Sequence, residues 1–212
     1  MRMRILGILG VLGAVFAGGC AHYATVEHPP VVELRSIETV GVLKFEVPEG
    51  DPEIGEDATH RFIATVQRAQ PGTRVLELGT KREVLAQIGA RTLDPAAFQA
   101  IGKMRGVDAV LSGSVEVKSP RTGVNIAGLT AVRTTVKVDA SMKAALHETG
   151  RGAMLWTNGA SGTWNLGSVT ASERGVGGGM ADPVRKHAEI MAELVRVTTE
   201  DFRPTFSRRR VD

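Results

Sequence analysis

The sequence predicts an α/β (α+β) fold: one domain built on a mixed β-sheet with helices packed on it, in the order β-α-β-α-α-β-β-β-α. Three observations predict it. Residues 107–117 and 134–146 alternate apolar and polar side chains with a period of two, as half-buried strands do. Residues 56–69 and the segment opened by Asp94-Pro95 carry apolar residues at helical spacing. Residues 38–46 are apolar on both faces, the pattern of a central strand covered on both sides.

Taken in order, the first strand sets Val40 and Val42 on one face and Leu43 and Phe45 on the other. Pro48, Gly50 and Pro52 break the chain. The helix over 56–69 has its stripe at Phe62, Ile63 and Val66, and Pro71-Gly72 ends it. A short strand over 74–78 and a short helix over 81–88 follow, the helix carrying Val84, Leu85 and Ile88. Asp94 caps the next helix and Pro95 suits its first turn. Phe98, Ile101 and Met104 line its inner face, and Gly106 closes it. In the strand over 107–117, Val107, Ala109, Leu111, Val115 and Val117 share one face.

Residues 121–131 read as a glycine-containing loop. In the next strand Val136, Val138, Ala140, Met142, Ala144 and Leu146 oppose Thr135, Lys137, Asp139, Ser141 and Lys143. Residues 147–152 form a turn, and 153–164 return as a strand with Met154, Trp156 and Trp164 in one parity. Residues 166–181 read as a mobile loop around the glycine run 175–179. Asp182-Pro183 opens a last helix with a stripe of Ile190, Met191, Leu194, Val195 and Phe202. Pro204 stops it, and 207–212 is a basic tail.

The start of the chain has a separate logic. Arg2 and Arg4 precede an apolar run over 5–17, the plan of an export signal and shorter than the ~20 residues a spanning helix needs. Ala17-Gly18-Gly19-Cys20 looks like a lipobox, the motif at which bacterial lipoprotein precursors are acylated and cut, with Ala17 where Leu is the commoner residue. The expectations are cleavage between Gly19 and Cys20, palmitate-type acylation of the Cys20 thiol, and a membrane as partner through that lipid. Cys20 is the single cysteine, so no intrachain disulfide forms. By the sorting habit of the enteric lipoproteins that this motif resembles, Ala21 rather than Asp implies transfer to the outer membrane, with the domain expected in the periplasm. The resulting division is 1–19 signal peptide, 20–36 lipidated Cys and tether stiffened by Pro29-Pro30, 37–206 domain, and 207–212 tail.

The formal charge of +3 includes Arg2 and Arg4, so the mature chain carries +1 and the pI of about 9.3 overstates its basicity. Aromatic residues make up 4 %, too few for a base-stacking surface. Nucleic acid is therefore not an expected partner, and no cofactor is expected.

Three segments carry a resemblance. Thr39-Val40-Gly41-Val42-Leu43-Lys44-Phe45, the run from Gly106 to Val115, and the pair Glu148-Thr149-Gly150 with Leu155-Trp156 resemble recurring elements of a group of envelope proteins. The group includes the CsgG curli-secretion lipoprotein, the LpoB activator of penicillin-binding proteins and the N-terminal domain of TolB. The resemblance implies their fold over most of 38–205. It implies several jobs: switching on a peptidoglycan synthase, forming rings that cross the outer membrane through paired hairpins, or docking partner proteins. A pore needs spanning strands of about 9–11 residues. The two candidate insert positions, 118–131 and 165–182, do not alternate cleanly, which disfavours a pore.

No catalytic constellation emerges. His22 and His28 sit with Glu27 in the tether, and no second pair completes a metal site. His147-Glu148 opens like a zinc-protease motif but lacks the second His at i+4. His60 and His187 fall on helix surfaces. The 175–179 glycines lack the Lys-Ser/Thr of a phosphate loop. Trp156 and Trp164 read as sheet packing, and Gly113 and Gly162 as sites of close backbone approach. Arg208, Arg209 and Arg210 are candidate contacts for anionic headgroups or an acidic partner. The expectation is a non-enzymatic accessory or adaptor in envelope assembly or transport, LpoB-like, with an envelope protein as partner. The alternative is a CsgG-like oligomeric channel subunit, and self-association stays open.

Overall fold

The computed structural model describes residues 22–127, 131–172 and 175–211, in two compact units. The Gly19–Cys20 cleavage site lies outside the described residues. The smaller unit is a two-stranded antiparallel ribbon of β1 (His22–His28) and β9 (Thr205–Val211). Residues read as a tether and a tail are thus strands paired across the length of the chain. His28 Nε2 and Ser207 Oγ hydrogen-bond across them at 2.8 Å.

The larger unit runs from Pro29 to Pro204. Its elements are β2 (Thr39–Leu43), α1 (Pro52–Ala69), β3 (Arg74–Gly79), α2 (Lys81–Ile88), α3 (Pro95–Arg105) and β4 (Ala109–Val117). They continue with β5 (Arg121–Ala127), β6 (Ala131–Glu148), β7 (Met154–Ser172), β8 (Gly175–Met180) and α4 (Pro183–Thr198). The mixed sheet runs β3-β2-β4-β6-β7-β8, with β5 on the outer part of β6. β2 is parallel to β3 and β4, and the remaining pairs are antiparallel.

Both faces of β2 are buried, as its composition predicts, though Phe45 packs with Val40 and Val42 rather than with Leu43. On one side Val40 and Val42 join Ala109, Leu111 and Val115 under α1 and α4, against Phe62, Ile190, Met191 and Leu194. On the other, Leu43 joins Val107 and Val110 under α2 and α3, against Val84, Phe98 and Ile101. Met104, expected inside, is 42 % exposed near the end of α3. Helix starts follow their caps: Asp94 accepts from the Ala97 N–H, Asp182 from those of Val184 and Arg185, and Thr80 with Glu83 forms a capping box. The first helix begins four residues earlier than its apolar stripe suggests, because Asp51 accepts from Glu53 and Pro52 sits in the first turn. Phe202 lies past α4, in a 3-10 turn over Glu200–Phe202, and is still fully buried.

The close approaches at two glycines are real. A Cβ on Gly113 would meet the Phe45 ring at 2.7 Å, and one on Gly162 the Trp164 ring at 2.6 Å. Part of the expected tether also belongs to the core. Leu34 is buried, its N–H donates to Gln70 Oε1 at 2.6 Å, and the Gln70 amide donates to the carbonyls of Val32 and Phe202. These bonds hold residues 32–34 to the end of α1 and to the turn after α4.

The larger correction concerns the two expected loops. Residues 121–127 form β5 and 175–180 form β8, while β6 and β7 extend to 18 and 19 residues. Each loop supplies backbone groups that pair with a neighbouring strand: β5 with residues 131–137, β8 with 167–172. The result is a four-stranded ribbon, β5-β6-β7-β8, built on the outer part of the long hairpin.

Candidate functional site

The ribbon is amphipathic, and the strand register shows how. Antiparallel partners share a face. Ile126 opposes Val132, Val132 opposes Ala171, and Ala171 opposes Val176. Val124, Thr134 and Val169 form a second row on the same face, and Val136 with Met180 a third. The other face carries Arg121, Asn125, Arg133, Thr135, Lys137, Ser168 and Thr170. The glycines 175, 177 and 179 fall on this polar face, which leaves Val176 and Met180 on the apolar one.

That apolar face continues the core face. Along β6, Val132, Thr134 and Val136 point the same way as Val138, Ala140, Met142, Ala144 and Leu146, whose side α4 covers. Inside, the row is buried. Outside, Val124 is 66 %, Ile126 72 %, Val176 76 % and Met180 59 % exposed. Single exposed apolar residues need no explanation, but a contiguous patch over four strands marks a contact surface. A bulge separates the two parts: Val136 pairs with Gly167 and Lys137 with Asn165, leaving Leu166 between, and the Asn165 Oδ1 accepts from the Gly167 N–H at 2.8 Å.

The base of the ribbon is fastened on its polar face. Arg121 of β5 reaches Asp139 of β6 at 2.8 Å, and the Thr163 hydroxyl of β7 donates to the same carboxylate at 2.5 Å. The Thr163 hydrogen bond and then the Arg121 and Lys118 cations hold the Asp139 carboxyl below the usual carboxylate range.

Other candidates lie elsewhere. A cleft at the carboxyl ends of β2 and β3 is lined by Lys44, Glu46, Glu56 and Lys81, whose charges pair with each other: Lys44–Glu56 and Lys81–Glu46, both at 2.9 Å. The Glu56 contact holds Lys44 above its ordinary value and Glu56 below its own. His60 lies 3.8 Å from Glu77 and His187 4.0 Å from Asp57, both at the helix surface as expected. His147 departs from the turn reading. It is the last residue but one of β6, its ring stacks on Phe98 at 4.1 Å, its Nδ1 is buried with no hydrogen-bond partner among the described residues, and burial pushes its pKa down. Trp156 is buried, as expected, and donates Nε1–H to Asp201 at 2.9 Å. Among the described residues no three His, Asp or Glu side chains cluster as metal ligands, and no helix is long and apolar enough to cross a membrane. Arg208, Arg209 and Arg210 are exposed on β9, opposite Thr25, Ala24 and Tyr23.

Sequence reasoning missed the ribbon's apolar face. Its signal was present in 122–126 and 132–136 as a period of two, diluted by threonine. In β8 it was hidden by the glycines.

No family model matches the chain, nor does any curated protein. Solved structures do. The PelC dodecamer from Paraburkholderia phytofirmans is similar at 14 % identity and a TM-score of 0.46, over 86 % of this chain and 98 % of that one. Lipoprotein GNA1162 from Neisseria meningitidis is similar at 19 % identity and a TM-score of 0.35, over 58 % and 78 %. The LpoB C-terminal domain from Escherichia coli is similar at 10 % identity and a TM-score of 0.36, over 62 % and 87 %. At these values the likeness is one of architecture and carries no role over to this chain.

Proposed function

We propose that this chain is an outer-membrane-anchored periplasmic lipoprotein. It works as a non-enzymatic accessory or adaptor in envelope assembly or transport, in the manner of an LpoB-like synthase activator. It holds its partner, an envelope protein, through the apolar face of the β5–β8 ribbon. The observation that carries the reading is that face, apolar across four strands and uncovered where the same face farther along β6 lies under α4. The lipid anchor rests on Ala17-Gly18-Gly19-Cys20. Acyl chains buried at about 0.8 kcal/mol per methylene give the attachment.

The test places a photocrosslinking amino acid at Ile126 of the lipidated protein in its native envelope. An adduct with a protein of different mass is the expected result. Adducts with lipid or with a second copy alone overturn the adaptor reading. Cys20→Ser, placed behind a signal that is cut without acylation, is expected to release the mature-sized chain from membranes washed in high salt, and retention of that chain there removes the anchor.

The ribbon also favours a second reading, an oligomeric channel subunit, since alternation across paired hairpins is what a lipid-facing barrel wall needs. Against it, β5 and β8 have seven and six residues, short of the 9–11 of a tilted spanning strand. Light scattering of the lipidated protein in mild detergent separates the two. A mass many times 22.5 kDa supports a ring, and a monomer or dimer removes it.

A further inference from the structure

The β1–β9 register brings the two ends of the chain together, and the charges are sorted along it. Arg210 opposes Tyr23, Arg209 opposes Ala24 and Arg208 opposes Thr25. Glu27 and His28 lie at the other end, opposite Phe206 and Thr205. Tyr23 is three residues from Cys20 and Thr25 is five, so at most about 11 and 18 Å of extended chain separate them from it. All three arginines are exposed, as are Tyr23 (62 %) and Phe206 (64 %).

We propose that the β1–β9 ribbon is a second membrane anchor: the face that carries Tyr23, Phe206, Arg208 and Arg210 lies against anionic lipid headgroups a few residues along the chain from the acylated one, with Arg209 on the opposite face. This rests on the reading of Cys20 as the lipid-bearing residue. A free tail at the far end of a chain of 212 residues has no reason to be near the anchor. A strand paired with the residues that follow the anchor is held there by its backbone hydrogen bonds. Guanidinium groups suit the occupant, because they match phosphate geometry with paired N–H donors. Tyr23 adds an amphipathic ring at the depth where aromatic residues gather in membrane proteins. A lipid chain and a basic patch together make the two-signal attachment that holds more firmly than either alone.

The test separates this surface from the lipid. The full mature chain bearing Cys20→Ser, and therefore no acyl group, is floated with vesicles of phosphatidylcholine alone or with phosphatidylglycerol added. Binding is expected to need phosphatidylglycerol and to weaken with salt. Replacing Arg208 and Arg210 by Gln is expected to lower it about twenty-five-fold, at about fivefold per charge. Replacing both by Lys is expected to keep most of it. Binding indifferent to phosphatidylglycerol, unchanged by the Gln variant, or lost equally in the Lys variant overturns the proposal. Since this chain carries no lipid, these outcomes leave the Cys20 reading to its own fractionation test.

Discussion

The inner and outer halves of β6 and β7 are the same two strands under two different conditions. Between Val138 and Leu146 the alternating apolar row is closed over by α4 and the turn after it. Phe202 there sets its ring 4.7 Å from Trp156 and 6.2 Å from Phe62. Between Val132 and Val136 the row continues on the same face with no such cover, and its neighbours across the ribbon are the exposed Val124, Ile126, Val176 and Met180. An apolar strand face is therefore no guide to burial by itself. What decides is whether another element is supplied to close over it, and past the bulge at Leu166 none is among the described residues.

The largest expected effect breaks that contrast at two positions of one strand. Met142 is fully buried and Val132 is 42 % exposed, on the same face of β6. Met142→Ala is expected to cost about 2–5 kcal/mol in urea unfolding. Val132→Ala is expected to stay within about 0.5 kcal/mol while weakening capture of the partner crosslinked from Ile126. Equal costs at the two sites would mean that the outer half is covered after all.

The two halves also differ in how readable they are. The core half was legible because apolar residues alternate without interruption from Val136 to Leu146, and because Asp94-Pro95 and Asp182-Pro183 fix helix starts by local chemistry alone. The ribbon was not, because β8 alternates glycine with Val176 and Met180, and glycine by itself signals a turn. Its strand state comes from pairing with residues 167–172 of β7. The β1–β9 pair is the extreme case. Nothing local in His22–His28 or Thr205–Val211 names a partner some 180 residues away, as the 179-residue separation of His28 and Ser207 shows. The three arginines could be read as a cluster, but their pairing with Tyr23, Ala24 and Thr25 could not.

Gln70 sharpens the account of the covered half. Buried at the end of α1, it binds the Leu34 N–H and the Phe202 carbonyl and so ties two covering segments together. Gln70→Ala leaves those groups without their partner inside the protein. The expected cost is about 1–3 kcal/mol in urea unfolding. A cost near zero would mean that Leu34 and Phe202 are held by packing alone.

Asp139 does the corresponding work for the uncovered half. Its carboxyl is held below the usual range chiefly by the Thr163 hydroxyl, with Arg121 and Lys118 assisting, so the ionised form favours the folded ribbon. A depressed folded value means the contribution is present above the ordinary carboxylate pKa and is lost as pH falls through the depressed one. Asp139→Asn is expected to speed hydrogen exchange in β5 at neutral pH, while Met142 and its surroundings stay protected. The variant and the parent are expected to converge in acid. Exchange unchanged at neutral pH would show that the pairing of β5 with β6 needs no ionic fastening.

His147 gives the smallest effect, at the edge of the covered half. Its ring lies against Phe98 with Nδ1 buried, and burial lowers its pKa, so the folded chain prefers the neutral imidazole. The sign follows from linkage. Above the ordinary histidine pKa both folded and unfolded chains carry it neutral, and nothing is lost. As pH falls below that value, the unfolded chain takes up a proton the folded one resists, and stability declines until the folded value is passed. His147→Phe is expected to flatten the urea midpoint against pH across that interval and to leave the Asp139 interval, lower in pH, unchanged. A midpoint that falls just as steeply in the Phe variant would place the acid sensitivity on another group and leave the Phe98 stack a matter of packing alone.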